Sequence, residues 1–208
     1  MKERSGVRDT YDRIGHHFAQ TREYPWPEVE SFCAERRVDR ALDVGCGNGR
    51  HTELLAEHAE SVVGLDVSGE LLSIANARVP GAAFIEGDAT ALPLIADSVE
   101  LAVYVATIHH LPKRRLRRRS LDELARVLED GGAALVSAWS TAHDRFDDRS
   151  DTGIDTEIDW TLPGGETVPR YYHISAPDEF DADLEASRLS VVDSFVSSGN
   201  CYAVVGTD

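Results

Sequence analysis

Between residues 40 and 139, short apolar runs alternate with stretches of helical spacing, and this alternation constrains the fold more than any other feature. The runs are RALDVG (40–45), SVVGLD (61–66), AAFIEG (82–87), VELAVYVA (99–106) and AALVSAW (133–139), and the helical stretches between them cover 50–58, 70–77 and 116–129. Such runs offer no polar face to water, so the strands must be buried on both sides, which a parallel sheet covered by helices achieves. The expected fold class is α/β, a mostly parallel sheet with helices on both faces. LSVVDSFV (189–196) and CYAVVG (201–206) flank the turn-like Ser198, Gly199 and Asn200 and predict a closing antiparallel hairpin. Two N-terminal helices are expected from Tyr11, Ile14 and Phe18, then from Val29, Phe32 and Cys33 after Pro25, and another helix near 178–187. The acidic stretch 141–168, containing AHDRFDDRSDTGIDTEID, reads as a long surface loop.

Composition narrows the class. A chain of 208 residues suits one domain, and neither a signal-peptide pattern nor a membrane-length apolar run is found, so a soluble cytoplasmic protein is expected. Cys33, Cys46 and Cys201 show no metal-ligand or disulfide spacing, and no metal site is expected. The formal net charge is -16, and only Lys2 and Lys113 are lysines among the 21 basic residues. A carboxylate-dense, lysine-poor surface resembles the proteins of halophiles, which stay dispersed where salt screens charge repulsion.

The segment Asp43-Val44-Gly45-Cys46-Gly47-Asn48-Gly49 lies between an expected strand and an expected helix. Glycines there let backbone approach a ligand, and the same placement suits a dinucleotide. The GxGxG spacing after an acidic strand end resembles motif I of the class I S-adenosylmethionine-dependent methyltransferases, a Rossmann-like family. Asp66, at the next strand end, can accept hydrogen bonds from ribose hydroxyls, although by itself it distinguishes neither cofactor. Gly87-Asp88-Ala89-Thr90-Ala91-Leu92-Pro93 resembles the methyltransferase segment around the adenine. The resemblance implies S-adenosylmethionine as cofactor, held by Asp43, Gly45, Gly47, Asn48, Gly49, Asp66, Val67, Asp88, Ala89 and Val105, with residues 1–38 covering it. The plainer alternative makes Asp66 and Asp88 caps of turns.

A narrower resemblance follows. Ile108-His109-His110-Leu111 with the basic helix after it is similar to the tRNA wobble carboxymethyluridine methyltransferases. Tyr11 to Phe18 with Gln20-Thr21-Arg22, Pro25-Trp26-Pro27, Ser137-Ala138-Trp139 and Arg170-Tyr171-Tyr172-His173 support it, while Val99-Glu100 departs from the Phe-Asp pair common in related enzymes. The implied acceptor is a carboxymethyl group, already ionised at neutral pH, which needs positioning rather than a strong base. Arg22, His109 and Arg170 are the candidate catalytic residues, and Arg22 is also a candidate for the cofactor's carboxylate. Trp26, Trp139, Tyr171 and Tyr172 are candidates for stacking the uracil, with core packing about as good an explanation. His110 is expected to be a packed or surface imidazole. Lys113, Arg114 and Arg115 open a basic run, KRRLRRR, that either meets tRNA phosphates or pairs with the protein's own carboxylates. The resemblance further implies a small zinc-binding activator protein, for which the apolar edge strand 82–86 offers strand addition. A small-molecule methyltransferase and a non-catalytic S-adenosylmethionine-binding scaffold remain the competing readings.

Overall fold

The computed structural model describes residues 2–146 and 152–207. It opens with helices α1 (Lys2–Gln20) and α2 (Pro27–Cys33), followed by β1 (Val38–Val44), α3 (Arg50–Ala56), β2 (Ala59–Asp66), α4 (Gly69–Arg78), β3 (Ala83–Glu86) and β4 (Val99–Tyr104). A single 3-10 turn (Ile108–His110) leads into α5 (Arg114–Val127) and β5 (Leu128–Trp139). The rest of the chain forms β6 (Ile154–Thr161), β7 (Thr167–Ile174), α6 (Pro177–Glu185), β8 (Ser190–Ser197) and β9 (Asn200–Gly206).

Seven strands make one sheet in the order β3-β2-β1-β4-β5-β9-β8, parallel from β3 through β5 and antiparallel at β9 and β8. This matches the expected class and the closing hairpin. The apolar runs are continuous because alternate residues feed two cores. On β4, Leu101 and Val103 join Val29 and Phe32 of α2 and Leu55 of α3, whereas Ala102 and Tyr104 join Leu121 and Leu124 of α5 and Phe180 of α6. Strand order reverses between β1 and β4, which opens a crevice at their C-terminal ends.

The expected loop over 141–168 is corrected. Residues 154–161 pair in register with β7 as a separate two-stranded sheet. Ile158 is buried against Tyr172 and Ile174, while Asp155, Glu157 and Asp159 point outward. A two-residue alternation of apolar and acidic side chains is a strand with one wet face, and its acidic half gives the segment the composition of a loop. Residues 147–151 of that stretch lie outside the described residues.

Candidate active site

A cavity lies in this crevice, roofed by Val7, Tyr11 and Phe18 of α1. Gly45, Cys46, Gly47 and Asn48 line one side. Gly45 has φ +73, and a Cβ there would collide with the side chain of Thr107 across the cavity floor. Gly49 does not line the cavity; at φ +80 it starts α3 while passing 3.2 Å from the backbone of Ala75, a contact measured from where its Cβ would be. Asp66, Val67, Asp88, Ala89 and Val105 line the remaining walls. Asp66 accepts hydrogen bonds from the amides of Gly47 and Ser68, both at 2.9 Å, and Asp88 accepts one from Thr90 at 2.8 Å. Both carboxylates therefore brace their own turns while facing the cavity. Burial raises the Asp66 pKa despite these bonds. Asn48 donates to the carbonyl of Arg22 at 2.8 Å and so fastens the glycine loop to the segment after α1.

Asp43 is not in the cavity. It is 1% exposed beneath the loop, accepts a hydrogen bond from Thr52 Oγ1 at 2.7 Å, and burial pushes its pKa up to about 7. The glycine turn carries the chain over it, so its side chain points back toward α3 rather than at a ligand.

The other wall is aromatic and carries one conspicuous charge. Tyr11 Oη lies 2.9 Å from His110 Nε2, and His110 Nδ1 lies 2.9 Å from the carbonyl of Tyr171. A carbonyl only accepts, so Nδ1 carries the proton and Tyr11 donates to Nε2. His109 is 4% exposed; its Nδ1 accepts from the amide of Trp139 at 3.1 Å and its ring lies 5.0 Å from that of Tyr172. The expected roles of the two histidines are thus exchanged: His110 lines the cavity and His109 packs behind it. The reason is the 3-10 turn, which rotates adjacent side chains to different sides. Burial, largest of the causes, holds both rings neutral, with His110 lowered to about 4.

Arg170 is 8% exposed and stands one layer out from the cavity lining. Its guanidinium lies 4.8 Å from the ring of Trp160 and 5.1 Å from that of Tyr172, and it adjoins the Tyr11 oxygen, whose negative form it stabilises. Its Nε has no hydrogen-bond partner, and no carboxylate among the described residues forms an ion pair with it. Arg22 lies over Phe18 at 5.1 Å and near Trp160 at 5.9 Å, outside the cavity lining. Trp160, missed in the sequence because it falls in the expected loop, is what the two arginines share.

Trp139 and Tyr172 pack together at 5.4 Å with Phe146. Trp26 is elsewhere, packed against Tyr202 and His51 on the α2 side of the sheet, because the Pro25 and Pro27 turn directs it inward. Tyr171 spends its hydroxyl on Asp155 at 2.7 Å, which turns the ring away from Trp139. In the basic run, Arg114 and Arg118 clasp Asp183 at 2.6 and 2.8 Å, and buried Arg117 meets Glu179 at 3.1 Å. The α6 carboxylates thus consume much of the charge, whereas Lys113 and Arg115 are exposed. Strand β3 lies at one edge of the sheet, as expected for 82–86.

A glycine-floored cavity at the switch point of this sheet, with carboxylates at the end of β2 and after β3 in its lining, fits an adenosine-bearing cofactor and, with the fold, defines a class I S-adenosylmethionine-dependent methyltransferase. Residues 42–136 match the family model described as a methyltransferase domain. The chain is 31% identical over 199 residues to a protein of Encephalitozoon cuniculi named as a methyltransferase, covering 94% of this chain and 92% of that one. It belongs to that methyltransferase family. It is also 31% identical over 176 residues, 84% of its length, to the tRNA (carboxymethyluridine(34)-5-O)-methyltransferase of Arabidopsis thaliana, of which it spans 41%. Among solved structures, a Haloferax volcanii methyltransferase in complex with the Trm112 methyltransferase activator shares the fold, with TM-score 0.74, 16% identity and 97% of each chain covered. No helix among the described residues is long and apolar enough to cross a membrane.

Proposed function

We propose that this chain forms the methyl ester of the carboxymethyl group on a tRNA wobble uridine. The observation that carries the reading is Arg170, a buried guanidinium without an anionic partner among the described residues. Leaving a buried cation unpaired is costly, and a planar fork is suited to a carboxylate. S-adenosylmethionine, when bound, supplies an electrophilic methyl group on a sulfonium. Asp66 would accept from its ribose hydroxyls and Asp88 from its adenine amine, with Val67, Ala89 and Val105 packing around the base and Gly45, Gly47 and Asn48 under the remainder.

A carboxylate acceptor has no proton to lose, and the wall is built accordingly. The Nε2 lone pair of His110 is taken by Tyr11 and the Nδ1 lone pair of His109 by the Trp139 amide, so neither is free to act as a general base. Arg170 would hold one carboxylate oxygen and leave the other reactive, while Trp139 and Tyr172 flank the ring that bears it. Exposed Lys113 and Arg115 would meet phosphates; a small zinc-binding activator would pair along the edge strand β3, and the existence of a Haloferax methyltransferase of the same fold in complex with the Trm112 activator supports a partner of that kind. The acidic surface suits work in concentrated salt.

The test is transfer from labelled S-adenosylmethionine to tRNA with and without carboxymethyluridine, in high potassium chloride, with and without the activator. Alkali-labile label on the modified tRNA alone supports the reading. Binding of cofactor without transfer to tRNA overturns it in favour of a small-molecule acceptor.

A further inference from the structure

The cavity lining itself holds an unsatisfied polar feature, made by Arg50 and His51. His51 is 6% exposed, its ring meets Trp26 edge-on at 6.1 Å, and its Nε2 is buried without a hydrogen-bond partner. Arg50 lies over the ring of Trp26 at 5.0 Å, and its only side-chain hydrogen bond among the described residues is a long one, 3.4 Å, to the carbonyl of Tyr24. Unlike Arg78, which is matched by Glu53 at 2.6 Å, Arg50 has no carboxylate in ion-pair contact among the described residues. Positive charge accumulates here. Burial and the neighbouring Arg22 bring the Arg50 pKa down to about 10, and burial with Arg50 and Arg78 keeps His51 neutral. The potential that resists an imidazolium also repels an ammonium and attracts an anion.

The cofactor of this class has one carboxylate, on its methionine portion. We propose that Arg50 and His51 bind that carboxylate, His51 donating its Nε2–H and Arg50 supplying the charge. Arg22, the other arginine nearby, does not line the cavity and is held over Phe18 and Trp160, which leaves it for the acceptor side. The unpartnered Nε2 then has its acceptor, and the half-buried Arg50 its counter-charge, only when cofactor is bound.

The experiment compares two ligands that share the adenosine half. Dissociation constants are measured by calorimetry on the full chain for S-adenosylhomocysteine, which has the carboxylate, and 5′-methylthioadenosine, which lacks the amino-acid portion. His51→Leu and Arg50→Gln should each weaken S-adenosylhomocysteine about tenfold or more while leaving methylthioadenosine within about twofold. Equal losses for both ligands would mean that the residues merely support the cavity, and unchanged S-adenosylhomocysteine binding would remove them from the site; either overturns the proposal. Should His51→Leu disturb the packing on Trp26, methylthioadenosine binding reports it, and Arg50→Gln at a half-buried position gives an independent answer.

Discussion

The hydroxyl of Tyr11, on α1, donates to Nε2 of His110, on the turn after β4, across 2.9 Å. This bond joins the roof of the cavity to its wall, and its direction is set from behind by the Tyr171 carbonyl. Tyr11→Phe leaves a buried imidazole nitrogen without a donor and should cost about 1–2 kcal/mol of stability. His110→Leu removes the acceptor, and the double variant should lose clearly less than the sum of the two, read from denaturant unfolding of all three proteins. Additive losses would mean that the two groups are not coupled.

Acid should loosen the same wall. An imidazole whose folded pKa is depressed binds fewer protons folded than unfolded, so its stabilising contribution is present above the unfolded pKa near 6.5 and is lost as pH falls toward the folded value, about 4 for His110. The expected loss from His110 over that window is ~3 kcal/mol. Unfolding curves between pH 7 and 4 should steepen for wild type and flatten for His110→Gln; parallel curves would sink the assignment.

Asp43 works in the opposite sense. Its folded pKa is raised to about 7, so it stays protonated while the unfolded chain ionises, and stability falls as pH rises from about 4 to 7 and then levels. Asp43→Asn keeps an acceptor for Thr52 and removes the buried charge. The variant should be more stable than wild type by roughly 2–4 kcal/mol at pH 8 and show no gain at pH 4. A gain that does not change with pH would point to packing instead.

Arg170 should trade stability for function. Arg170→Met retains much of the apolar volume against Trp160 and Tyr172 but discards an unpaired buried charge. The variant should match or exceed wild-type stability by about 1 kcal/mol while losing at least about a hundredfold in transfer to a carboxylate acceptor. Thermal unfolding and the tRNA transfer assay, run on one preparation, decide it; a less stable variant with intact transfer would contradict both halves.

How far these residues were legible in the chain varies with the range of the interactions that place them. Asp66 and Asp88 sit at strand ends, where a local pattern already determines direction, and both line the cavity. His109 and His110 were exchanged because one 3-10 turn decides which neighbour looks inward, and periodicity does not encode that rotation. The strand 154–161 was hidden by acid content, although Ile154, Thr156, Ile158 and Trp160 alternate along one face. Trp160 and Arg170 share the β6–β7 hairpin, but Arg22 comes from the segment after α1, so no local signal could assemble the three.

The sequence by itself determined the layered α/β architecture and the glycine turn, because burial on both faces of a strand and left-handed backbone are properties of a few adjacent residues; the edge position of β3 followed only from the family resemblance. Only the tertiary structure decided which charges are spent and which are left over. Arg114, Arg117 and Arg118 are neutralised by carboxylates of α6 more than 60 positions away, whereas Arg50, in the cavity lining, and Arg170, one layer behind it, have no such partner among the described residues. That difference follows from long-range packing, where the cost of burying a charge depends on what the rest of the chain places beside it.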